Sequence, residues 1–488
     1  MKSIKVISKD ISGIPELNKL YSNQGYLIIK QEIGKLGISK SDVMNFFKSF
    51  HIKHEKRAGT IIQNFQYDPI CNTNKYYLFP RFLLDDVKLF FDEFGISTNV
   101  LDFEYPANLG DSNLEMKTLI WNEKNHLLNN IIIPKIKKSG GLTLQLDTGK
   151  GKTVILSRII QEFGLKTVIF AGNILLQKQL YQDVTEHLGL TSDKIRLVGG
   201  GNKNHPDANI WIVTINTASK LNKDPTIWNQ FGLSIFDECH KFCSAKRIFI
   251  ARQCCTKYKL ALSATVEKNW NWKEIIYNCG SPVNGNDYIK SESIDGNVKI
   301  IKYYGPPEYT KSLKSNSGMV STAFMSRQFM KDSYRTSILI SETIRLLESG
   351  HSVLALTNIN DFVWNFYELF QVKTNWKYRV GIINSDVSDK EKHYAKSSCQ
   401  LILSTYGSCS EGVNIPRLTA MVFLTSFVGN GIQISGRSLR GKSDITREYI
   451  DLIDMNTSLK KQFASRGEIW NNRKFTQEIA IEKYRNEN

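Results

Sequence analysis

A chain of 488 residues is too long for one small core and predicts roughly two to four domains. Hydrophobic residues at 41% and charged residues at 23% place it among soluble globular proteins, and no apolar run reaches bilayer-spanning length, which excludes an integral membrane helix. The net charge of +17 suits a polyanionic partner, nucleic acid first, with a generic solubility charge as the alternative.

The N-terminal stretch MKSIKVISKDISG lacks a signal-peptide core, so the protein is expected to be soluble and intracellular. Eight cysteines are scattered without a repeated C-x-x-C pair and read as free thiols in a reducing compartment. Cys239, His240 and Cys243 lie close together, but no second ligand pair accompanies them and zinc is not expected.

Residues 1–112 read as a small, separate α+β accessory domain. Its opening decapeptide has strand alternation, and residues 14–21, 40–51 and 84–94 have helical spacing. A basic cluster at residues 51–57, HIKHEKR, is followed by the aromatic stretch YYLFPRF, which contains Arg81. Basic and aromatic groups together suit phosphate contact and base stacking, while a solvated basic face beside an aromatic core accounts for the same pattern. Residues 102–112, with Pro106, Asn108 and Gly110, read as a linker.

Over residues 113–285 strand and helix alternate. Five short apolar runs, at residues 142–146, 167–171, 210–213, 233–236 and 259–262, predict a doubly wound parallel sheet and an α/β fold. Ligands of such sheets lie beyond the carboxyl ends of the strands. The first run ends in the loop Thr148, Gly149, Lys150, Gly151, Lys152 and Thr153, and an apolar helical run follows. Backbone N–H groups of such a loop can wrap a triphosphate at the helix N-terminus. Lys152 would neutralise the β- and γ-phosphates, and the Thr153 hydroxyl would ligate Mg²⁺. Leu146 stands where the full phosphate-loop pattern has Gly or Ala.

The run LSIF leads into Asp237, Glu238, Cys239 and His240. A carboxylate at the end of a buried strand can hold the Mg²⁺ that Thr153 touches, and its neighbour can polarise an attacking water. Asp237 is assigned to the metal and Glu238 to the water. At the end of a further strand stand Ser263, Ala264 and Thr265, small residues able to bond to the acidic pair and relay nucleotide state.

The order T-G-K-G-K-T, D-E-C-H, S-A-T resembles the superfamily 2 helicases, whose motor is two RecA-like domains. The second half carries similar later elements. VLALT and LILST read as strands, the latter followed by Glu411, Gly412, Val413, Asn414, Ile415 and Pro416. Gln433, Gly436, Arg437 and Arg440 complete Q-x-x-G-R-x-x-R. The resemblance implies ATP and Mg²⁺ as cofactors. It implies Arg437 and Arg440 as arginines stabilising phosphoryl charge, Gln433 as a cleft residue, and Glu411 and Gly412 with His240 as coupling elements. It also makes Gln179, Thr214 and Thr405 contacts to nucleic-acid phosphates, which would bind largely without regard to sequence. The family's adenine-reading Gln has no clear equivalent: Glu123 falls near its place, with Trp121 and Asn122 beside it.

Residues 286–330 read as a polar linker. Residues 331–488 read as the second RecA-like domain, with a basic helical tail over 459–488. Within the superfamily the chain looks most like phage recombination helicases with an N-terminal DNA-binding domain, and next like poxvirus transcript-release helicases. The leading expectation is an ATP-dependent DNA translocase that remodels branched structures. An RNA-directed enzyme and a nucleotide-gated clamp that holds nucleic acid without moving are the alternatives.

Overall fold

Strands of three to nine residues, separated by longer stretches of helical period, form three sheets. The computed structural model describes residues 3–10, 25–30, 38–49, 76–102, 108–111, 113–147, 149–199, 207–244, 247–267, 272–289, 296–311, 320–410, 415, 417–425, 445–461, 466–467, 470–471 and 474–484. The chain falls into two compact units, Met1–Lys290 and Ser291–Asn488.

The first unit begins with a four-stranded sheet of β1 (Ser3–Asp10), β2 (Gly25–Lys30), β3 (Tyr76–Pro80) and β4 (Ser97–Asp102), in the order β3-β2-β1-β4. The β1–β2 and β2–β3 pairs are antiparallel and the β1–β4 pair is parallel. Helix Lys40–Ser49 starts at a reciprocal cap: Asp42 N donates to Ser39 Oγ and Ser39 N to the Asp42 carboxylate. Helix Leu84–Asp92 buries Val87, Phe90 and Phe91, and Phe90 stacks on Phe46 of the other helix at 4.4 Å between centroids. The basic cluster at residues 51–57 and the helical spacing at 14–21 lie outside the described residues.

The same unit contains a seven-stranded, all-parallel sheet. Its strands are β5 (Gly141–Gln145), β6 (Thr167–Ala171), β7 (Ile195–Val198), β8 (Ile210–Thr214), β9 (Leu233–Asp237), β10 (Tyr258–Ser263) and β11 (Pro282–Asn284). They run in the order β11-β5-β10-β9-β6-β8-β7. Successive side chains leave opposite faces, so both faces are apolar. Leu142, Leu144, Leu260, Leu262, Leu233 and Ile235 meet Ile155, Leu156, Ile159 and Ile160 of helix Lys152–Phe163 on one face. Phe170, Phe236 and Ala261 meet Trp228, Phe242 and Ile275 on the other. The five predicted runs are β5, β6, β8, β9 and β10. The edge strands β7 and β11 escape a periodicity argument because they are short, one with a half-buried Arg196 and the other opening on a proline.

The second unit is built on another seven-stranded parallel sheet. It comprises β12 (Gly296–Tyr304), β13 (Val353–Thr357), β14 (Val380–Ile383), β15 (Leu401–Thr405), β16 (Ala420–Phe423), β17 (Arg447–Asp454) and β18 (Thr476–Lys483). The order is β14-β15-β13-β16-β17-β12-β18. Two doubly wound, all-parallel sheets therefore stand where two RecA-like domains are expected.

Two segments differ from expectation. Within 286–330, expected to be irregular linker, β12 is an inner strand, paired in parallel with β17 and β18. Its Val298, Ile300 and Tyr303 are buried, so the polar character of the flanking segments hides a core strand. The tail, expected to be helical over 459–488, instead supplies β18 as an edge strand. TQEIAIEK alternates with period two and is largely exposed, as charged edge strands are.

Candidate active site

In the first large sheet β10 lies between β5 and β9. The loop after β5, the acidic pair after β9 and the S-A-T element after β10 consequently emerge from three adjacent strand ends. The ladder continues past the strands: Leu146 N donates to Ser263 O at 2.9 Å. The loop is also held from the β11 side. Asp147 N donates to Asn286 Oδ1 at 3.1 Å, and Lys150 Nζ donates to Ile289 O at 3.0 Å.

Gly149 and Gly151 have φ of 85° and 83°, a left-handed backbone that brings the N–H groups to one side and favours glycine at both positions. Lys152 opens the following helix, with Thr153 next in its first turn. The orphan N–H groups and positive pole of that helix face the loop. Thr148 lies outside the described residues.

Lys152 Nζ meets Glu238 Oε1 at 3.2 Å, with side-chain exposures of 12% and 16%. Water screens this ion pair far less than a surface pair. On its other side Glu238 Oε2 lies 3.4 Å from His240 Nδ1, and that nitrogen is 2.9 Å from Ser263 Oγ. Ser263 Oγ also accepts from Thr265 N at 3.1 Å, and Ala264 between them is buried. A continuous chain of contacts thus joins the phosphate loop, the acidic pair and the S-A-T strand end. Glu238 itself is a non-glycine residue at φ 49°, a strained conformation of the kind concentrated at working sites.

Charges follow this geometry. Burial, and then the adjacent Glu238 carboxylate, push Asp237 up to about 7. Burial also pulls Glu238 upward, but Lys152 and His240 outweigh it and hold Glu238 below the usual carboxylate range. Burial lowers His240, against the opposing pull of Glu238.

These shifts predict a specific pH behaviour. A carboxylate whose folded pKa is raised loses stabilisation as pH climbs from the unfolded value near 4 toward 7. Asp237→Asn should therefore raise the melting temperature at pH 8 in Mg²⁺-free buffer, raise it less at pH 5, and abolish hydrolysis. Thermal unfolding at the two pH values checks this, and equal shifts at both would contradict the assigned burial penalty.

The remaining predicted residues occupy varied positions. Thr214 and Thr405 are counterparts in the two sheets. Each ends its strand, and each side chain accepts from the backbone N–H three residues on, Thr217 N at 3.3 Å and Ser408 N at 3.2 Å. Gln179 is half-buried on helix Ile174–Leu188. Arg81 meets protein carbonyls: it donates to Thr256 O at 2.9 Å and Lys257 O at 2.8 Å, at the start of β10. The clasp ties the accessory element to the sheet end opposite the phosphate loop. Glu411, Gly412, Gln433, Arg437 and Arg440 lie outside the described residues. Sequence reasoning passed over Asn286 and Lys124, which reach the phosphate loop from distant or apparently unremarkable positions. A loop pinned from β11 has no local sequence signal.

The family described as Type III restriction enzyme, res subunit, matches residues 117–268, the span holding this site. With this family match, the fold and the site are those of an ATP-hydrolysing helicase that resembles the superfamily 2 enzymes, and so of an enzyme that acts on nucleic acid. The chain is 23% identical over 420 residues to protein QP509L of African swine fever virus, by name a candidate ATP-dependent RNA helicase, covering 81% of this chain and 80% of that one. Among solved structures, UvsW of bacteriophage T4 aligns over 99% of both chains at 18% identity and a TM-score of 0.42. S. cerevisiae Dbp5 bound to Gle1 aligns over 72% of this chain and 88% of its own at 13% identity and a TM-score of 0.50. No helix among the described residues is long and apolar enough to cross a membrane.

Proposed function

We propose that this helicase is a DNA translocase that remodels branched structures, moving junctions, regressing forks and unwinding RNA–DNA hybrids in R-loops. The observation that carries the motor reading is the Lys152–Glu238–His240–Ser263 chain of contacts. Triphosphate entering the loop competes with Glu238 for Lys152. Glu238 is then released to polarise water, while His240 and Ser263 pass the change to the end of β10. Asp237 and the Thr153 hydroxyl suit Mg²⁺ as hard oxygen donors, and a cation would relieve the burial cost of the Asp237 carboxylate. Mg²⁺ there would supply charge neutralisation of the phosphates. Gln433, Arg437 and Arg440 are the second unit's proposed contribution to hydrolysis.

The DNA reading rests on the net charge of +17 and on an accessory sheet clasped to the first motor sheet through Arg81. Thr214, Thr405 and Gln179 are proposed phosphate contacts. The name of the viral relative favours an RNA-directed reading instead. A strand-displacement assay separates them: a labelled four-way DNA junction and an RNA duplex of equal length are each incubated with ATP and Mg²⁺. Faster resolution of the junction is expected. Unwinding of the RNA duplex alone would favour the second reading.

A further inference from the structure

Lys124 lies on the short helix Asn122–His126, in the stretch where the family's adenine-reading residue is sought. Its ammonium rests on the phosphate loop: a Cβ at Gly151 would stand 2.9 Å from Lys124 Nζ and 3.2 Å from Cε. The group is half-buried, and burial draws its pKa below the ordinary lysine value. The face of Trp121 lies beneath it, 4.9 Å away at the ring centroid, and no carboxylate pairs with it among the described residues.

The other two lysines of the loop are engaged, Lys152 with Glu238 and Lys150 with the Ile289 carbonyl. Lys124 therefore brings an uncompensated positive charge to the positive pole of helix Lys152–Phe163, beside converging N–H groups. A cation held there is unfavourable until an anion arrives.

Resting on the reading of this loop as the nucleotide site, we infer that Lys124 is a further phosphate-contacting cation, recognising the polyphosphate of a nucleoside triphosphate. Glu123 beside it is exposed and carries the wrong charge for that task. The stretch that in the family reads the base would here read phosphate.

Inorganic tripolyphosphate and ATP are the probes, with dissociation constants measured for the full chain in Mg²⁺. Lys124→Met keeps the stem over Trp121 and removes the charge; Lys124→Arg keeps the charge. The methionine variant should weaken both probes by about tenfold, as for loss of one charge-assisted hydrogen bond, while the arginine variant stays within about twofold of the parent. Adenosine affinity, which involves no phosphate, should not move. Unchanged tripolyphosphate affinity in Lys124→Met would overturn the inference and leave the nucleotide site standing. If the parent chain bound neither ATP nor tripolyphosphate, the nucleotide reading itself would fall.

Discussion

Replacement of Lys152 by alanine should lower ATP hydrolysis by roughly 10²–10³-fold, the scale for losing one preorganised charge at a transferring phosphoryl group. Nucleic-acid affinity should stay within about twofold at fixed salt, because in the proposed function Lys152 serves the nucleotide and not a phosphate of the nucleic-acid backbone. The substitution also strips Glu238 of its principal counter-charge. Glu238 is held below the ordinary carboxylate range, so its stabilising contribution is present above about pH 4.5 and is lost as pH falls through the depressed folded value. Lys152→Ala removes that contribution, and a lower melting temperature at neutral pH should accompany the loss of activity. Steady-state hydrolysis, DNA-binding titration and thermal unfolding on one preparation measure the three effects. Retained hydrolysis would show that the phosphate loop is not the catalytic site, and loss of DNA binding would show that nucleotide and nucleic acid share one site.

The largest stability effect should come from Arg335, a fully buried guanidinium in the second unit. It donates from Nε to Asp454 Oδ1 at 2.7 Å, from Nη2 to Asp454 Oδ2 at 3.1 Å, and from Nη1 to the Leu424 carbonyl at 2.8 Å. Its charge also lies over the Phe329 ring at 4.8 Å. Arg335 sits on helix Ser333–Glu348 and Asp454 ends β17, so the pair fastens helix to sheet. Truncation to alanine leaves Asp454 buried and uncompensated, at an expected cost of about 3–5 kcal/mol. Arg335→Lys keeps a charge but not the planar fork and should recover only part of the loss. The double variant Arg335→Ala/Asp454→Ala should be less destabilised than the sum of the two singles. Chemical unfolding of the parent and the four variants measures these effects. A single-variant cost below about 1 kcal/mol would show the pair to be unimportant to the fold.

Much of the first unit was legible because its chemistry is tied to strand ends. An apolar run followed by glycines and lysine, and another followed by two acids, announce both the strands and what they carry. Sheet order was not legible. That β10 separates β5 from β9, so that Ser263 lies against His240, follows from crossovers which local pattern does not encode. The same limitation hid β12 and β18. Each finds its partner only through the fold, β12 with β17 more than a hundred residues away. Arg81 illustrates the converse. A basic residue amid aromatics suits nucleic acid by composition, yet its fork fits two carbonyls beside Gly140, where a Cβ would collide with the guanidinium. Lys124 was passed over because a lone lysine on a short helix carries no pattern, and only the folded loop gives it a neighbour.

The first unit's site is proposed to hydrolyse ATP in answer to nucleic acid. Steady-state hydrolysis with Mg²⁺ tests it most directly, measured without nucleic acid and then with single-stranded DNA, a four-way DNA junction and single-stranded RNA. A low basal rate is expected, with the strongest stimulation by the DNA forms. Stimulation by RNA alone would replace DNA with RNA as the substrate, and no hydrolysis under any of the four conditions would contradict the claim.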